Sequence, residues 1–552
     1  MEATVSEIIV GYLQQLGIHH VFGVPGAHIL PVFDKLYDSN ITVILTKHEQ
    51  GAAFMAGGYA ISSGNIGACI ATTGPGATNL VTGLANAFVN ATPVLAITGE
   101  TPTYSFGKGA LQESSGEGTA INQNDIFRGI TKYNKIVQRT DYIPQVLRSA
   151  LNHLCSVNPG PVLLSFPYNV LREKTDLDIL QFIKRPQKRR TPSGFRLSSD
   201  LEEIVSMVRE AEHPVVIAGY GCILADAEKE LSRFCTDQGI PVVTSLKGRG
   251  VIPETSDLFL GILGITAKEA AFRYITEVSD LVIFLGVSFG ERTSHNWSKE
   301  LLAGKRIVQV DINPLQLEKS FTPDVAVCGD LNEMLGSLNL FIESNPLERK
   351  DLSRLRMYKE KYGRSNLNDE DFSLVSCFLR RLNSLFDGDM IIFDDNIIYM
   401  QHFVNLTKSR SYFPNSGISS LGRAVPAAIG AKLTSDKPVF AITGDGGFQM
   451  CCMELMTAVN YRIPVTVILL NNSCLGLVRK NQYHNYKGRY IASDFVNPDY
   501  KHLAISFGIN YRRVSSSAEA DKVFDETDFH NEINLIELMM NKDGFPTYSS
   551  GR

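Results

Sequence analysis

Nine cysteines, an odd number with no CxxC pair, and a single tryptophan, Trp297, are all that 552 residues offer of either type. That scatter excludes a disulfide framework and a thiolate zinc site, and it suits reduced thiols in a cytoplasm. Long apolar runs are lacking as well. The most apolar short run, Val465 to Leu470, is far below the roughly 20 residues that cross a bilayer. The opening MEATVSEIIVGYL has no basic stretch ahead of an apolar one, so no signal peptide is expected and no membrane partner is implied. Nor does one sign of charge dominate. With 53 basic and 58 acidic side chains, the balance is 53 − 58 = −5, too mixed and too acidic to hold nucleic acid by bulk attraction. GxxxxGK[ST] is absent, which removes a P-loop NTPase. Gly444-Asp445-Gly446-Gly447 comes closest to GxGxxG, but Gln449 takes the last glycine position and a nicotinamide dehydrogenase is poorly supported.

What is present is ample core material, 44% hydrophobic with 29 Phe and 20 Tyr, too much for a disordered scaffold. At this length about three domains are expected. The segments His20 to Gly26, Thr42 to Glu49, Ile66 to Gly76 and Pro93 to Glu100 share one form: a β-branched run, a Gly-rich or polar turn, then a helical pattern. Strands alternating with helices predict βαβ units on a mostly parallel sheet. Lys184 to Ser199 breaks the pattern with cations, two Pro and a Gly, and is read as a solvated linker in preference to a nucleic-acid patch. Further strands are expected at Pro214 to Ala218, Pro241 to Ser245, Asp280 to Gly286 and Arg306 to Asp311, followed by a charged surface helix and linker over Glu343 to Asp371. A third set follows at Met390 to Phe393, Pro438 to Thr443, Pro464 to Leu470 and Ile533 to Leu538. The prediction is three tandem doubly wound α/β domains: 1–183, 200–342 and 372–552.

The most specific signal lies in the third domain. Gly444-Asp445-Gly446 follows one apolar strand and Asn471-Asn472 closes the next, which places Asp445 and Asn472 at the carboxyl ends of neighbouring parallel strands. A carboxylate, an amide oxygen and the backbone carbonyl of Cys474 are hard oxygen ligands suited to magnesium. Gly446 and Gly447 let the backbone approach a diphosphate at a helix N-terminus. Either piece alone also reads as an ordinary turn.

Together they resemble the GDG…NN motif of thiamine diphosphate enzymes, with which Gly444, Leu475 and Gly476 also align. That resemblance implies a carboxylate partner for the cofactor's aminopyrimidine, and His48-Glu49-Gln50-Gly51-Ala52-Ala53 looks like the segment that carries it. Glu49 would share a proton with the ring nitrogen N1′; as a lone residue it also reads as a helix-start carboxylate satisfied by the dipole. FPNSGISSLGRAVPAAIGA, Phe413 to Ala431, is similar to the segment between the cofactor rings. There Leu421 matches the apolar wedge and Ser419 offers a carbonyl.

Within these enzymes the resemblance is closest to acetohydroxyacid synthase large subunits and their acetolactate synthase relatives, over nearly the whole chain. Val21 to Gly26, Lys47 to Ala53, Thr73 to Leu80, Gln112-Glu113, Ile130 to Lys132, Val310 to Pro314 and Asn471 to Val478 carry it. It implies decarboxylation of a 2-keto acid, usually pyruvate, and transfer of the two-carbon unit to a second carbonyl. It also implies roles at the cofactor for Pro25, Gly26, Thr73, Pro75, Asn79, Asp395 and Asn396. Gln112 would lie near the reacting centre, Lys132 beside it, and Arg292 would grip the acceptor's carboxylate as a bidentate guanidinium; a surface salt bridge is the plainer role for that arginine.

Departures from the family pattern bear on specificity. Asn481 stands where a tryptophan favours 2-ketobutyrate, Leu475 and Leu477 where Gln and Met are common, and Asp394-Asp395-Asn396-Ile397-Ile398 where DVGQH is usual. The ending FPTYSSGR lacks the usual capping tail, which leaves the entrance either more open or closed by something else, and a larger or less usual acceptor could fit such a site. FAD on the middle domain is a further implication, with Gly219-Tyr220-Gly221, Gly261 to Gly264 and Asp311 to Pro314 resembling parts of its site, although Ile265-Thr266-Ala267 replaces an MHG-type segment. Glu49 and Asp445 lie in different domains, and the resemblance implies that the paired surfaces come from two chains, so a homodimer with active sites between chains is expected, a homotetramer being common among relatives; no feature of the sequence speaks to a regulatory subunit. Competing expectations are a simple 2-keto acid decarboxylase or flavin oxidase, against which Arg292 argues, and a non-catalytic homologue, against which Glu49 with Asp445 and Asn472 argues.

Overall fold

A computed structural model describes residues 2–176, 180, 181, 183, 197–365, 367 and 369–546. Most of the expected linker and the chain's last six residues lie outside these.

Three six-stranded sheets, every pairing parallel, carry the described chain. Their central strands are short apolar runs buried along their whole length, such as Gly67–Ala71 and Leu281–Leu285, because helices cover both faces. The first sheet is built from His20–Gly23, Thr42–Leu45, Gly67–Ala71, Val94–Glu100, Tyr133–Ile136 and Val162–Pro167. The third uses Ile391–Asp394, Tyr412–Phe413, Val439–Gly444, Thr466–Asn471, Asn510–Val514 and Asn534–Met539. Numbered within each sheet, both run in the order 2-1-3-4-6-5, so the outer domains repeat one topology. The middle sheet, from Pro214–Ala218 to Val325–Cys328, runs 3-2-1-4-5-6, the dinucleotide-binding order. A separate antiparallel pair joins Glu2–Thr4 to Lys174–Asp176.

The strand order decides where ligands can sit. In the outer domains it reverses between the first and third strands, and such sheets bind ligands outside the carboxyl ends at that switch. Pro25, Gly26 and Thr73 stand there in the first domain, and Asp395, Asn396 and Asp445 in the third.

One apolar core is shared by the two outer domains. Its centre is the crossing of helix Glu49–Ser63 with helix Ala424–Lys432, both apolar nearly all round. Glycine makes the crossing close: a Cβ on Gly58 would lie 2.1 Å from the Ala427 carbonyl oxygen, and one on Gly430 2.0 Å from that of Met55. The charged stretch after residue 343 contains the expected surface helix. Helix Ser353–Tyr362 sinks Leu355 and Tyr358 into the middle domain's core, so only one face of it is solvated.

Candidate active site

In the first domain the residues named from the sequence converge. Strand Thr42–Leu45 leads into helix Glu49–Ser63, headed by Glu49, whose Oε2 accepts from Asn79 Nδ2 at 2.9 Å. A Cβ on Gly76 would sit 3.4 Å from Glu49 Oε1 and 2.8 Å from Thr72 Cγ2, and one on Gly26 would strike Thr72 as well. Pro75 opens the short helix Pro75–Thr78 that presents Asn79. Thr72 Oγ1 is buried here without a partner, a polar atom at the centre of this cluster that the sequence does not single out.

Gln112 is held beside them by backbone strain and a buried carboxylate. Its φ of 62° is left-handed, its carbonyl accepts from Thr73 Oγ1 at 3.2 Å, and Gly74, also left-handed, passes beneath it. Glu100, fully buried, accepts from Thr73 Oγ1, Thr101 and both the amide and hydroxyl of Ser114. His28 has its Nδ1 buried without a partner; burial lowers the imidazole's basicity, against the pull of Glu100 and the Gln112 side chain. Lys132 sets its ammonium 4.9 Å from the Phe88 ring centre.

The third domain supplies the second cluster. Strands Val439–Gly444 and Thr466–Asn471 are hydrogen-bonded neighbours in parallel, so Asp445 and Asn472 do emerge side by side. Asp445 Oδ1 accepts from Gly446 N at 3.0 Å, and Oδ2 from Ser473 N at 2.6 Å and Asn497 Nδ2 at 2.9 Å. Burial pushes this carboxyl up, and those donors pull it back. Asn472 Oδ1 accepts only a long bond, 3.3 Å, from Cys474 N. The Cys474 backbone is fixed by an antiparallel bridge to Asp494, with Leu475 N donating to Ser493 O at 2.7 Å. Gly446 packs against Leu475 and Gly476 against Asn472, whereas a side chain on Gly444 would meet open space. A carboxylate, an amide oxygen and a carbonyl around a glycine-lined opening fit magnesium and a diphosphate.

Asn497 is the residue missed here. Its Nδ2 reaches Asp445, Asn471 Oδ1 at 2.8 Å and Ser473 Oγ, and its Oδ1 accepts from Gln449 and Tyr500. In sequence it is merely an Asn before a Pro, the signal of a turn.

Asp395 corrects its expected part. Its carboxylate is 2% exposed and already occupied by Gly422 N at 2.6 Å, Arg423 N, Asn415 Nδ2 at 2.9 Å and Thr443 Oγ1. Burial pushes it up to about 6. It fastens the loop that carries Ser419 and Leu421, a loop with left-handed residues at Gly417, Ser419 and Gly422, and Leu421 projects half-buried from it. Asn396 is likewise engaged: its Oδ1 accepts from Arg292 Nη2 at 3.1 Å. Arg292 therefore reaches the third domain from the middle one, and among the described residues it has no carboxylate partner.

The middle domain gives a flavin less than its sheet order promises. Gly219 N donates to Leu285 O at 2.8 Å and Gly221 N to Gly286 O at 3.1 Å. A Cβ on Gly219 would lie 2.0 Å from Gly286 O. The turns flanking the switch point are thus closed on each other, and the amides that would hold a pyrophosphate are spent, so this turn does not fit an adenine dinucleotide.

Among the described residues no hydrogen bond joins the Glu49 cluster to the Asp445 cluster within one chain.

Family models match all three domains. The thiamine pyrophosphate enzyme N-terminal TPP binding domain matches residues 3–120, the central domain 201–338 and the C-terminal TPP binding domain 396–538. A probable acetolactate synthase large subunit of Methanocaldococcus jannaschii is 33% identical over 97% of this chain and 91% of its own. The chloroplastic acetolactate synthase of Arabidopsis thaliana is 34% identical over 93% and 78%, and the isozyme 2 large subunit of Escherichia coli K12 30% over 98% and 94%.

Proposed function

The chain belongs to the thiamine pyrophosphate enzymes, with relatives named acetolactate synthase, and from that premise we propose a carboligase that decarboxylates a 2-keto acid, pyruvate foremost, and passes the two-carbon unit to a second carbonyl. The observation that carries this reading is the pairing of Glu49, at the carboxyl edge of the first sheet, with Asp445 and Asn472 at the carboxyl edge of the third, since a binding protein has no need of both.

Bound thiamine diphosphate supplies the nucleophilic carbon and the electron sink. Asp445, Asn472 and the Cys474 carbonyl would hold a magnesium ion that neutralises the diphosphate, and Gly444, Gly446 and Gly447 would let the backbone come close. Glu49, steadied by Asn79, would share a proton with the aminopyrimidine. Leu421 would support the cofactor as an apolar wedge, and the Ser419 carbonyl would offer it a hydrogen-bond acceptor. Arg292, aimed by Asn396 and free of a carboxylate, takes the acceptor's carboxylate and separates this reading from simple decarboxylation. Gln112 and His28 line the reacting side.

The active unit proposed is a homodimer in which Glu49 of one chain faces the metal cluster of the other. Its support is that, among the described residues, no hydrogen bond joins the two clusters within one chain, together with the apolar side chains left open around them, among them Leu111 at 80% and Val496 at 94% exposure. Nine free thiols and the lack, among the described residues, of a helix able to cross a membrane support a cytoplasmic setting. FAD rests on the middle-domain segments Gly261 to Gly264 and Asp311 to Pro314 alone; pure protein without flavin absorbance removes it.

The test is product identity. With pyruvate, magnesium and thiamine diphosphate, mass analysis should show acetolactate, or a larger adduct when another carbonyl is added. Acetaldehyde as sole product favours the decarboxylase, and no release of carbon dioxide sinks both.

A further inference from the structure

The first sheet ends in an edge strand, Thr42–Leu45, and its chain runs on through Thr46, Lys47 and His48 to Glu49. An edge leaves main-chain amides without ladder partners. Here the C-terminal domain supplies them. Leu45 N donates to the Tyr461 hydroxyl at 2.8 Å. Glu454 Oε1 accepts from Lys47 N at 3.2 Å and His48 N at 3.1 Å, while Oε2 accepts from Lys47 N at 3.2 Å and the Thr457 hydroxyl at 2.7 Å. Glu454 is 3% exposed, and it stands on the turn Cys452–Glu454 that follows the Asp445 segment. Gly51 is shaped to the same carboxylate: a Cβ there would lie 2.1 Å from Glu454 Oε1.

A buried carboxylate is costly unless its acceptor sites are filled. This one is filled largely by the two peptide planes that precede Glu49, and those planes set where the Glu49 side chain starts. Resting on the reading of Glu49 as the proton-sharing carboxylate, we infer that Glu454 is the positioning residue for Glu49, so that the C-terminal domain aims the N-terminal domain's carboxylate. A merely structural glutamate could fill its acceptor sites from any donors; the three bonds to Lys47 and His48 tie this one to the segment that ends in Glu49.

Two readouts test this apart from turnover. In the cofactor-free protein, backbone amide exchange across Leu45 to Gly51 should accelerate in Glu454→Ala relative to the rest of the first sheet. In the holoenzyme, exchange of the thiazolium C2 proton should slow on the order of tenfold or more in Glu454→Ala and in Gly51→Ala, since misplacement by about 1 Å costs as much as 10²-fold. Glu454→Gln, whose amide oxygen can take the Oε1 bonds, should lie between these and the parent. The double variant Glu454→Ala with Gly51→Ala should be no slower than the slower single one, because the clash is gone. Multiplied losses, or C2 exchange unchanged in Gly51→Ala and Glu454→Gln, would overturn the inference, and those two variants decide if Glu454→Ala does not fold. Glu49→Gln is run alongside. If it alone slows exchange, the positioning role fails and the Glu49 reading stands; if it too leaves exchange unchanged, the Glu49 reading itself falls.

Discussion

Glu49 meets an amide on one oxygen and the bare flank of Gly76 beside the other. Glu49→Gln keeps that shape and removes only the shared proton. Turnover should fall by about 10²- to 10⁴-fold with cofactor still bound; unchanged kcat at saturating cofactor would remove Glu49 from the chemistry. The metal cluster makes a graded prediction. Asp445→Ala should lose magnesium and diphosphate retention outright, whereas Asn497→Ala, which only frees Asp445 Oδ2 and the Asn471 turn, should raise the magnesium requirement by about 10- to 100-fold. A magnesium titration of activity in both variants checks the order, and equal requirements would deny Asn497 its bracing part. Asp445, Asn472 and Glu49 are legible in the sequence because the first two stand directly after strands, the third opens a helix shortly after one, and each lies inside a recognisable motif. Asn497, Thr72, His28 and Glu454 are not, since their partners come from segments that only the fold brings near. Asp395 is legible as a strand-end residue but not in its direction, because the sequence does not say that Asn415, Gly422 and Arg423 close over it.

Among the elements, the interior strands announce themselves as short β-branched runs. Five of the edge strands, Tyr133–Ile136, Phe259–Ile262, Val325–Cys328, Tyr412–Phe413 and Asn510–Val514, are not signalled. An edge is half solvated and takes polar residues, as YNKI and NYRRV show, so its pattern resembles a loop's. Val162–Pro167 is the interior exception, buried throughout yet closing on a proline. The helix pair at the shared core makes the element-scale prediction. Gly58→Ala puts a methyl against the Ala427 carbonyl and should cost about 1–3 kcal/mol. Thermal unfolding reports it, and an undiminished melting temperature would mean that the helices are not pressed together there.

Over the whole molecule, the three domains meet at Lys247, whose Nζ donates to Asn90 Oδ1 of the first domain close to Arg423 of the third. Loss of water, and secondarily the Arg423 charge, lower its ammonium from the ordinary 10.5 to about 8. The folded chain therefore binds fewer protons than the unfolded one between those values. The penalty is full below about pH 8, and stability recovers as pH rises toward 10.5. Lys247→Met should stabilise by about 1 kcal/mol at pH 7 and by less near pH 10; a variant that melts lower at pH 7 would contradict the sign. Arg292 of the middle domain likewise reaches the third through Asn396, and the proposed function gives it the second substrate's carboxylate. That leads to the most direct measurement of the central claim: the label and mass of every product formed from pyruvate carrying ¹³C at its carboxyl and, separately, at its other carbons, with magnesium and thiamine diphosphate, for the parent chain, Glu49→Gln and Arg292→Ala. The account predicts labelled carbon dioxide together with a two-carbon unit joined to a second carbonyl, both lost in Glu49→Gln, and carbon dioxide without the joined product in Arg292→Ala. Carbon dioxide release undiminished in Glu49→Gln, or no release from the parent chain, would contradict it.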